Sequence, residues 1–276
     1  MTAPAPAPGP DSTADRRSPQ RHPAELRLLV VGIVVTAVLA PVLADTAIDA
    51  VGAWWAGAIA AAIVGLYVAR GMLNASERAN SVLITRDQFP EIHGRIVAMS
   101  EAFGLRRPPD AYVVQAGGVL NAFASRHHRT DFIRINADVL EVGSFGLGPR
   151  PRDPDALDFI IAHEIGHVAA GHVGFWYTVA SNLVSLVPIL GHSLSRAKEY
   201  TADNYGHAAV PDNLTGMVLL SGGKYLYPEI DPGQFVERAR TDRGVFLWLT
   251  NALSSHPVMT KRIAALADRS RPGRIF

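Results

Sequence analysis

Two histidines and a glutamate stand together in Ala162-His163-Glu164-Ile165-Gly166-His167, inside an apolar stretch free of proline. Residues four apart share one face of a helix, so the imidazoles of His163 and His167 can reach a single metal ion. The carboxylate of Glu164, beside the first histidine, can take a proton from water polarised by that ion. This spacing serves metal-assisted hydrolysis, with zinc the expected ion. A catalytic zinc site needs a third protein ligand and an open fourth position. The chain has no cysteine, so the third ligand must be His, Asp or Glu.

The flanking residues predict the helix that the motif requires. Pro154, Asp155 and Asp158 precede Phe159-Ile160-Ile161, with proline and acids where a helix start favours them. Gly171 offers a stop. Two candidates for the third ligand follow. His172 comes first, but the metzincin spacing would put glycine at 170 and histidine at 173, where this chain has Ala170 and Val173. His172 then reads as a polar residue at a helix end, where the dipole suits a histidine. Glu199 is the second candidate, within the helix-forming run Ser195-Arg196-Ala197-Lys198-Glu199-Tyr200-Thr201-Ala202-Asp203. Glu199 and Asp203 share a face, and Asp203 could accept a proton from the far nitrogen of a ligand histidine and fix its tautomer. Alone, this run would be a solvated helix face; beside the H-E-x-x-H motif, the ligand reading is favoured.

The elements that position these residues follow from composition along the chain. Charged residues are only 18% of 276 and the net charge is +1, so no field argues for a nucleic-acid partner. Residues 1–24 are rich in Pro, Ala, Ser and Arg and read as a disordered tail. Residues 25–70 hold two apolar runs, Leu26 to Leu43 and Ala50 to Ala69, each long enough to cross a hydrocarbon core as a helix. Trp54 and Trp55 suit an interface belt. A buried helix pair, or a signal peptide ending at Ala44, would be the alternatives to a membrane hairpin. Arginines flank both runs and the loop between them carries only acids, so the positive-inside rule predicts a multi-pass cell-membrane protein with its catalytic domain on the cytoplasmic side.

Residues 71–276 read as one α+β domain, mainly helical, with a small β-sheet. A helix is predicted over Phe89–Phe103, and strands at Ala111–Val114, Val119–Ala124 and Asp131–Ile135. Arg126, His127, His128 and Arg129 read as a solvated basic turn, with contact to lipid phosphates as the alternative.

The pair Ala-His-Glu-Ile-Gly-His and Ser-Arg-Ala-Lys-Glu-Tyr-Thr-Ala-Asp resembles the HtpX-type membrane zinc peptidases, a group that includes the CAAX prenyl endopeptidases. Asn121-Ala122-Phe123-Ala124 and Ser255-His256-Pro257-Val258-Met259-Thr260-Lys261-Arg262-Ile263 resemble two further motifs of that family. The resemblance implies a zincin-type domain with one Zn2+ held by His163, His167 and Glu199, and Asp203 in support. It implies that Asn121, Ala122 and Phe123 align the substrate backbone, that His256 stabilises the oxyanion, and that Arg262 supports the site. The expected partners are a polypeptide substrate, membrane proteins among them, and the lipid bilayer. The expected function is a membrane-anchored zinc endopeptidase in membrane protein quality control. A CAAX-type processing protease, a protease with its zinc below the membrane surface, and a non-catalytic membrane scaffold stabilised by zinc are the alternatives.

One departure constrains geometry. Family members usually place two further membrane helices between the histidine helix and the glutamate helix. Here residues 168–198 separate them, and the apolar run Val173 to Leu190 is long enough for one crossing. One crossing would put Glu199 on the opposite side of a bilayer from His163. If Glu199 is a ligand, this run must turn back, lie at the interface or pack inside the domain. Asn182, Pro188, Gly191 and His192 fit a bent or shallow segment.

Overall fold

The structure, a computed structural model, describes residues 19–51, 54–127, 130–145 and 151–276. Two long helices open it, α1 (Glu25–Val51) and α2 (Trp54–Ala79). They are apolar over Glu25–Thr46 and Ala56–Ala79, and only 12% and 0% of these windows are buried. Val30, Val34, Val38 and Val42 of α1, and Ile63, Leu66, Tyr67 and Met72 of α2, point outward. Helices so exposed are not the core pair of a globular domain. The second helix also runs past the predicted end of its apolar stretch, to Ala79, where Glu77 pairs with Arg134 of the sheet.

Beyond it come β1 (Val82–Leu83), α3 (Pro90–Ala102), β2 (Asp110–Val114), β3 (Ala122–His127) and β4 (Thr130–Asn136). The sheet order is β1-β2-β4-β3, with β2 parallel and β3 antiparallel to β4. Strand β3 is therefore an edge. Helix α4 (Ala137–Leu140) runs into a π-turn over Glu141–Phe145. Then follow α5 (Pro154–Ala169), α6 (Phe175–Ser185), α7 (Pro188–Ala209), α8 (Thr215–Leu226), α9 (Pro232–Thr241), α10 (Val245–Leu253) and α11 (Met259–Ala267). The buried core joins Ile133 and Ile135 of β4, Ile92 and Ile96 of α3, Leu157, Ile161 and Ile165 of α5, and Met217 and Leu219 of α8.

Helix α5 begins as its sequence predicts. Asp153 caps it by accepting from the Ala156 amide at 3.0 Å, and Pro154 fills the first turn. Gly171, at φ +74°, lies just past its end. Helix α7 packs along α5 at glycine contacts. A Cβ on Gly166 would fall 2.7 Å from the Tyr205 Cβ, and one on Gly206 would fall 2.8 Å from the Phe159 ring. Only hydrogen at these positions lets the two backbones come so close. That closeness sets His163 and His167 opposite Glu199 and Asp203.

The apolar run after α5 turns back on itself. Helix α6 has 11 residues, a rise of about 16 Å, and a turn at Leu186-Val187 leads directly into α7. Pro188 starts the return helix, where its missing N–H leaves no bond unmade. The hairpin leans on α1: the Thr36 hydroxyl donates to the Leu183 carbonyl at 3.0 Å, and Gly32 receives Val184. Phe175, Trp176, Leu183, Leu186 and Ile189 remain exposed. His163 and Glu199 thus stand on one side, as a shared ion requires.

Composition alone puts residues 19–24 in the tail. His22 instead packs into the domain, its amide donating to the Thr201 hydroxyl at 2.9 Å and its Nε2 lying 2.8 Å from the Gly273 carbonyl. Residues 1–18 of that tail, and His128 and Arg129 of the basic cluster, lie outside the described residues. Arg126 of that cluster is engaged, with Nε and Nη2 donating to Asp131 at 2.5 and 2.8 Å.

Candidate metal centre

His163, His167 and Glu199 each offer a ligand atom, and these atoms lie within 4.8 Å of one another. His163 Nε2 is 3.5 Å from Glu199 Oε2, and His167 Nε2 is 3.5 Å from Glu199 Oε1. Ligands around a tetrahedral zinc at about 2.0–2.1 Å stand about 3.4 Å apart, so the spacing fits that ion. His172, the rival third ligand, is not part of this cluster.

Charge also fits. Glu164, Glu199 and Asp203 are buried with the Arg262 guanidinium as their close cation. Lys198 lines the same cleft as Glu164 and Glu199, so three carboxylates face two basic side chains, and the acid left over suits a metal cation. The local pKa values reflect the excess of acids. Burial pushes the Glu164 carboxyl up to about 7, helped by the charge of Glu199 and opposed by His163 and Arg262. Burial alone would lower the pKa of His163, but Asp203 and Glu199 outweigh it and raise the value to about 10. Glu199 falls well below the carboxylate range: burial opposes the charge, and His163, His167 and Arg262 overcome it.

Further polar groups are layered behind His163, His167 and Glu199. Asp203 Oδ1 is 2.9 Å from His163 Nδ1, although too bent for a good hydrogen bond. Arg262, buried on α11, grips Asp203 with two bonds, Nε to Oδ2 at 2.9 Å and Nη2 to Oδ1 at 2.5 Å. Its Nη2 also stands 3.6 Å from Glu199 Oε2. His256 sits on the lip, its side chain 63% exposed and its Nε2 3.5 Å from Glu199 Oε1.

A cleft of about 380 Å³ opens over these groups. Asn121 and the edge-strand residues Ala122, Phe123 and Ala124 line it, opposite His163, Glu164, Glu199 and His256. The turn before Asn121 lies at Gly117-Gly118, while the Asn121 carbonyl accepts from the Asn136 amide at 3.0 Å and its Oδ1 from the Ala122 amide at 2.9 Å. Phe123 carries the Arg134 guanidinium over its ring at 4.3 Å. Nine of the ten residues singled out in the sequence as ligands, base, supports or substrate contacts line one cleft, and the tenth, Asp203, lies behind it on Arg262.

Sequence reasoning missed two. Glu25, the first residue of α1, is fully buried, and His172 is 4% exposed. His172 Nδ1 lies 2.8 Å from His167 Nδ1, and its Nε2 lies 3.2 Å from Glu25 Oε1. Burial lowers the pKa of His172 to about 4 against the pull of Glu25, so its ring is neutral at physiological pH. The oddity that could have marked Glu25 is an acid placed directly before an apolar run of membrane length.

Two imidazoles and a carboxylate around one point, with a buried carboxylic acid beside them and an edge strand above, make the site of a metal-dependent hydrolase. The model of peptidase family M48 matches residues 86–186 and 174–270. The chain belongs to that family, a family of metallopeptidases, and the resemblance read from its motifs is borne out. It is 30% identical over 124 residues to a plastoglobule-localized metallopeptidase 48 of the Arabidopsis thaliana chloroplast. That match covers 43% of this chain and 32% of the relative. No solved structure matches it.

Proposed function

We propose that the chain is a membrane-anchored zinc endopeptidase. The observation that carries this reading is the convergence of His163, His167 and Glu199 within 4.8 Å, beside buried Glu164, in a cleft walled by an edge strand. His163 and His167 would hold zinc through their Nε2 atoms, and Glu199 through its carboxylate. Zinc supplies Lewis acidity, lowering the pKa of water towards about 7 and drawing charge from a carbonyl.

The residues of the chain do the rest. An extended polypeptide laid along β3 pairs with the free backbone groups of that strand, which aligns a peptide bond without reading its sequence. Glu164 takes the proton from the attacking water and hands it to the leaving amine. Its raised pKa keeps it basic enough to accept the proton and acidic enough to return it. His256, across the cleft, donates to the oxyanion, a type of contact worth about 3–4 kcal/mol when one donor is removed. Asp203 and Arg262 hold His163 and Glu199 in place.

The outward apolar faces of α1 and α2 would anchor the protein in a bilayer, with the α6–α7 hairpin dipping into the near leaflet. Its rise of about 16 Å is half of a hydrocarbon core of about 30 Å. The arginines flanking the two helices favour a cleft on the cytoplasmic side, by the positive-inside rule. A backbone-reading cleft close to the membrane suits membrane and misfolded proteins as substrates. Detergent-solubilised protein should cleave casein, lose that activity with a chelator and regain it with zinc. Zinc-independent cleavage, or a zinc-loaded protein that cleaves nothing, would overturn the reading; the second outcome would favour a zinc-stabilised scaffold.

A further inference from the structure

Glu25 and His172 have no step in the proposed reaction, yet both are buried beside it. Among the described residues, every polar contact of the Glu25 carboxylate is a donor. Oε1 accepts from the Tyr177 hydroxyl at 2.9 Å, from His172 Nε2 at 3.2 Å and from Arg21. Oε2 accepts from the Thr201 hydroxyl at 2.5 Å. Arg21 also donates to the Ala170 carbonyl, at the end of α5. The first turn of α1 is thereby stitched to the helix of the histidines and to α7. Glu25 lies outside the residues that the family model matches.

Proton positions follow from this arrangement. Glu25 only accepts, so His172 Nε2 carries a hydrogen. A neutral His167 that binds an ion through Nε2 has its hydrogen on Nδ1, so the His172 Nδ1 that meets it must present a lone pair. That lone pair accepts the hydrogen across 2.8 Å. His167 Nε2 is left with its lone pair directed to the point it shares with Glu199 and His163 Nε2. With both rings neutral, the reverse placement would set a lone pair of His172 against the carboxylate and a hydrogen of His167 where a metal must bind. His163 has a separate support in Asp203. Each histidine is thus backed by a carboxylate, one on α7 directly and one on α1 through a second imidazole.

We propose that Glu25 and His172 are positioning residues of the metal centre, holding His167 in the tautomer and orientation that bind the ion and making the first apolar helix part of the site. This inference rests on the zinc reading above. It also gives α1 a role beyond anchorage: whatever moves its first turn moves the support of His167.

The test uses the full chain in detergent, with zinc affinity measured by chelator competition and the visible spectrum recorded after cobalt substitution. His172→Phe keeps a ring but offers no acceptor, and should weaken zinc binding about 10–100-fold and shift the cobalt bands. His172→Gln offers an amide oxygen to His167 Nδ1 and should restore most of the affinity. Glu25→Ala should weaken binding like His172→Phe; if it fails to fold, the two His172 variants decide. Thr36→Val removes a contact of α1 with α6 that has no part in the chain, and should leave affinity and spectrum as in the wild type. Wild-type zinc binding in His172→Phe, or an equal loss in Thr36→Val, would overturn the positioning role. A wild-type chain that binds no zinc would instead overturn the reading of the site itself.

Discussion

Arg262 is the group whose removal the site should tolerate least. Its guanidinium makes two hydrogen bonds to Asp203, at 2.9 and 2.5 Å, and stands 3.6 Å from Glu199. Arg262→Met keeps the apolar stem and deletes the charge, leaving Asp203, Glu199 and Glu164 together without it. Breaking a buried pair by removing one partner costs about 3–5 kcal/mol. For a domain of this size each kcal/mol moves the melting temperature by about 2–4 °C, so the metal-free variant should melt about 6–20 °C lower. Zinc restores part of the missing positive charge, so the loss should shrink when zinc is saturating. The assay is thermal unfolding of the detergent-solubilised chain with and without zinc. Adding Asp203→Asn removes the acid left unpaired, so the double variant should be more stable than the sum of the single effects by well over about 0.5 kcal/mol. A melting point within about 2 °C of the wild type, or strict additivity, would refute the reasoning; the temperature follows from the scaling above.

Other consequences can be checked alongside. Gly166→Ala forces a methyl against the Tyr205 Cβ, and overpacking of this kind costs about 1–3 kcal/mol; denaturant unfolding should show the loss, with zinc affinity falling as α5 and α7 separate. Zinc must displace the proton that Asp203 and Glu199 hold on His163, whose pKa without metal is raised to about 10. Affinity should therefore rise at least about tenfold per pH unit between pH 6 and 8, more steeply below about 7 where zinc also draws the proton from Glu164, and a flat profile would contradict the proton count. Glu164 works as a base only when ionised, so activity should fall as pH drops through its pKa. That value is about 7 without metal, and a neighbouring dication favours the carboxylate further, so the acidic limb of kcat/KM should lie at or below about 7; a limb clearly above it would remove Glu164 as the base.

What could be read from the sequence was mostly local. Spacing alone places His163 and His167 on one helical face with Glu164 beside the first, and Pro154, Asp155 and Gly171 mark where that helix begins and ends. The third ligand came from a second helical pair, Glu199 and Asp203, with the same spacing. Geometry requires the Val173–Leu190 run to turn back, lie at the interface or pack inside the domain; it turns back, and Pro188 stands where the return helix starts. His172 was misread as a plain helix end because its meaning depends on a partner 147 residues away. No local pattern carries such a contact. Glu25 was hidden likewise: composition shows where an apolar run starts, but not that its first residue turns inward. The glycine contacts between α5 and α7 belong to the same class, since Gly166 is one of the free positions of the motif and acquires a role only once Tyr205 packs on it.

The central claim is that Glu164 is the base beside a zinc held by His163, His167 and Glu199. Its most direct test is Glu164→Gln, with zinc content and peptide cleavage measured on the same preparation. The account predicts one zinc per chain, as in the wild type, with cleavage reduced about 100-fold or more. A variant that keeps its zinc and cleaves at the wild-type rate would contradict it.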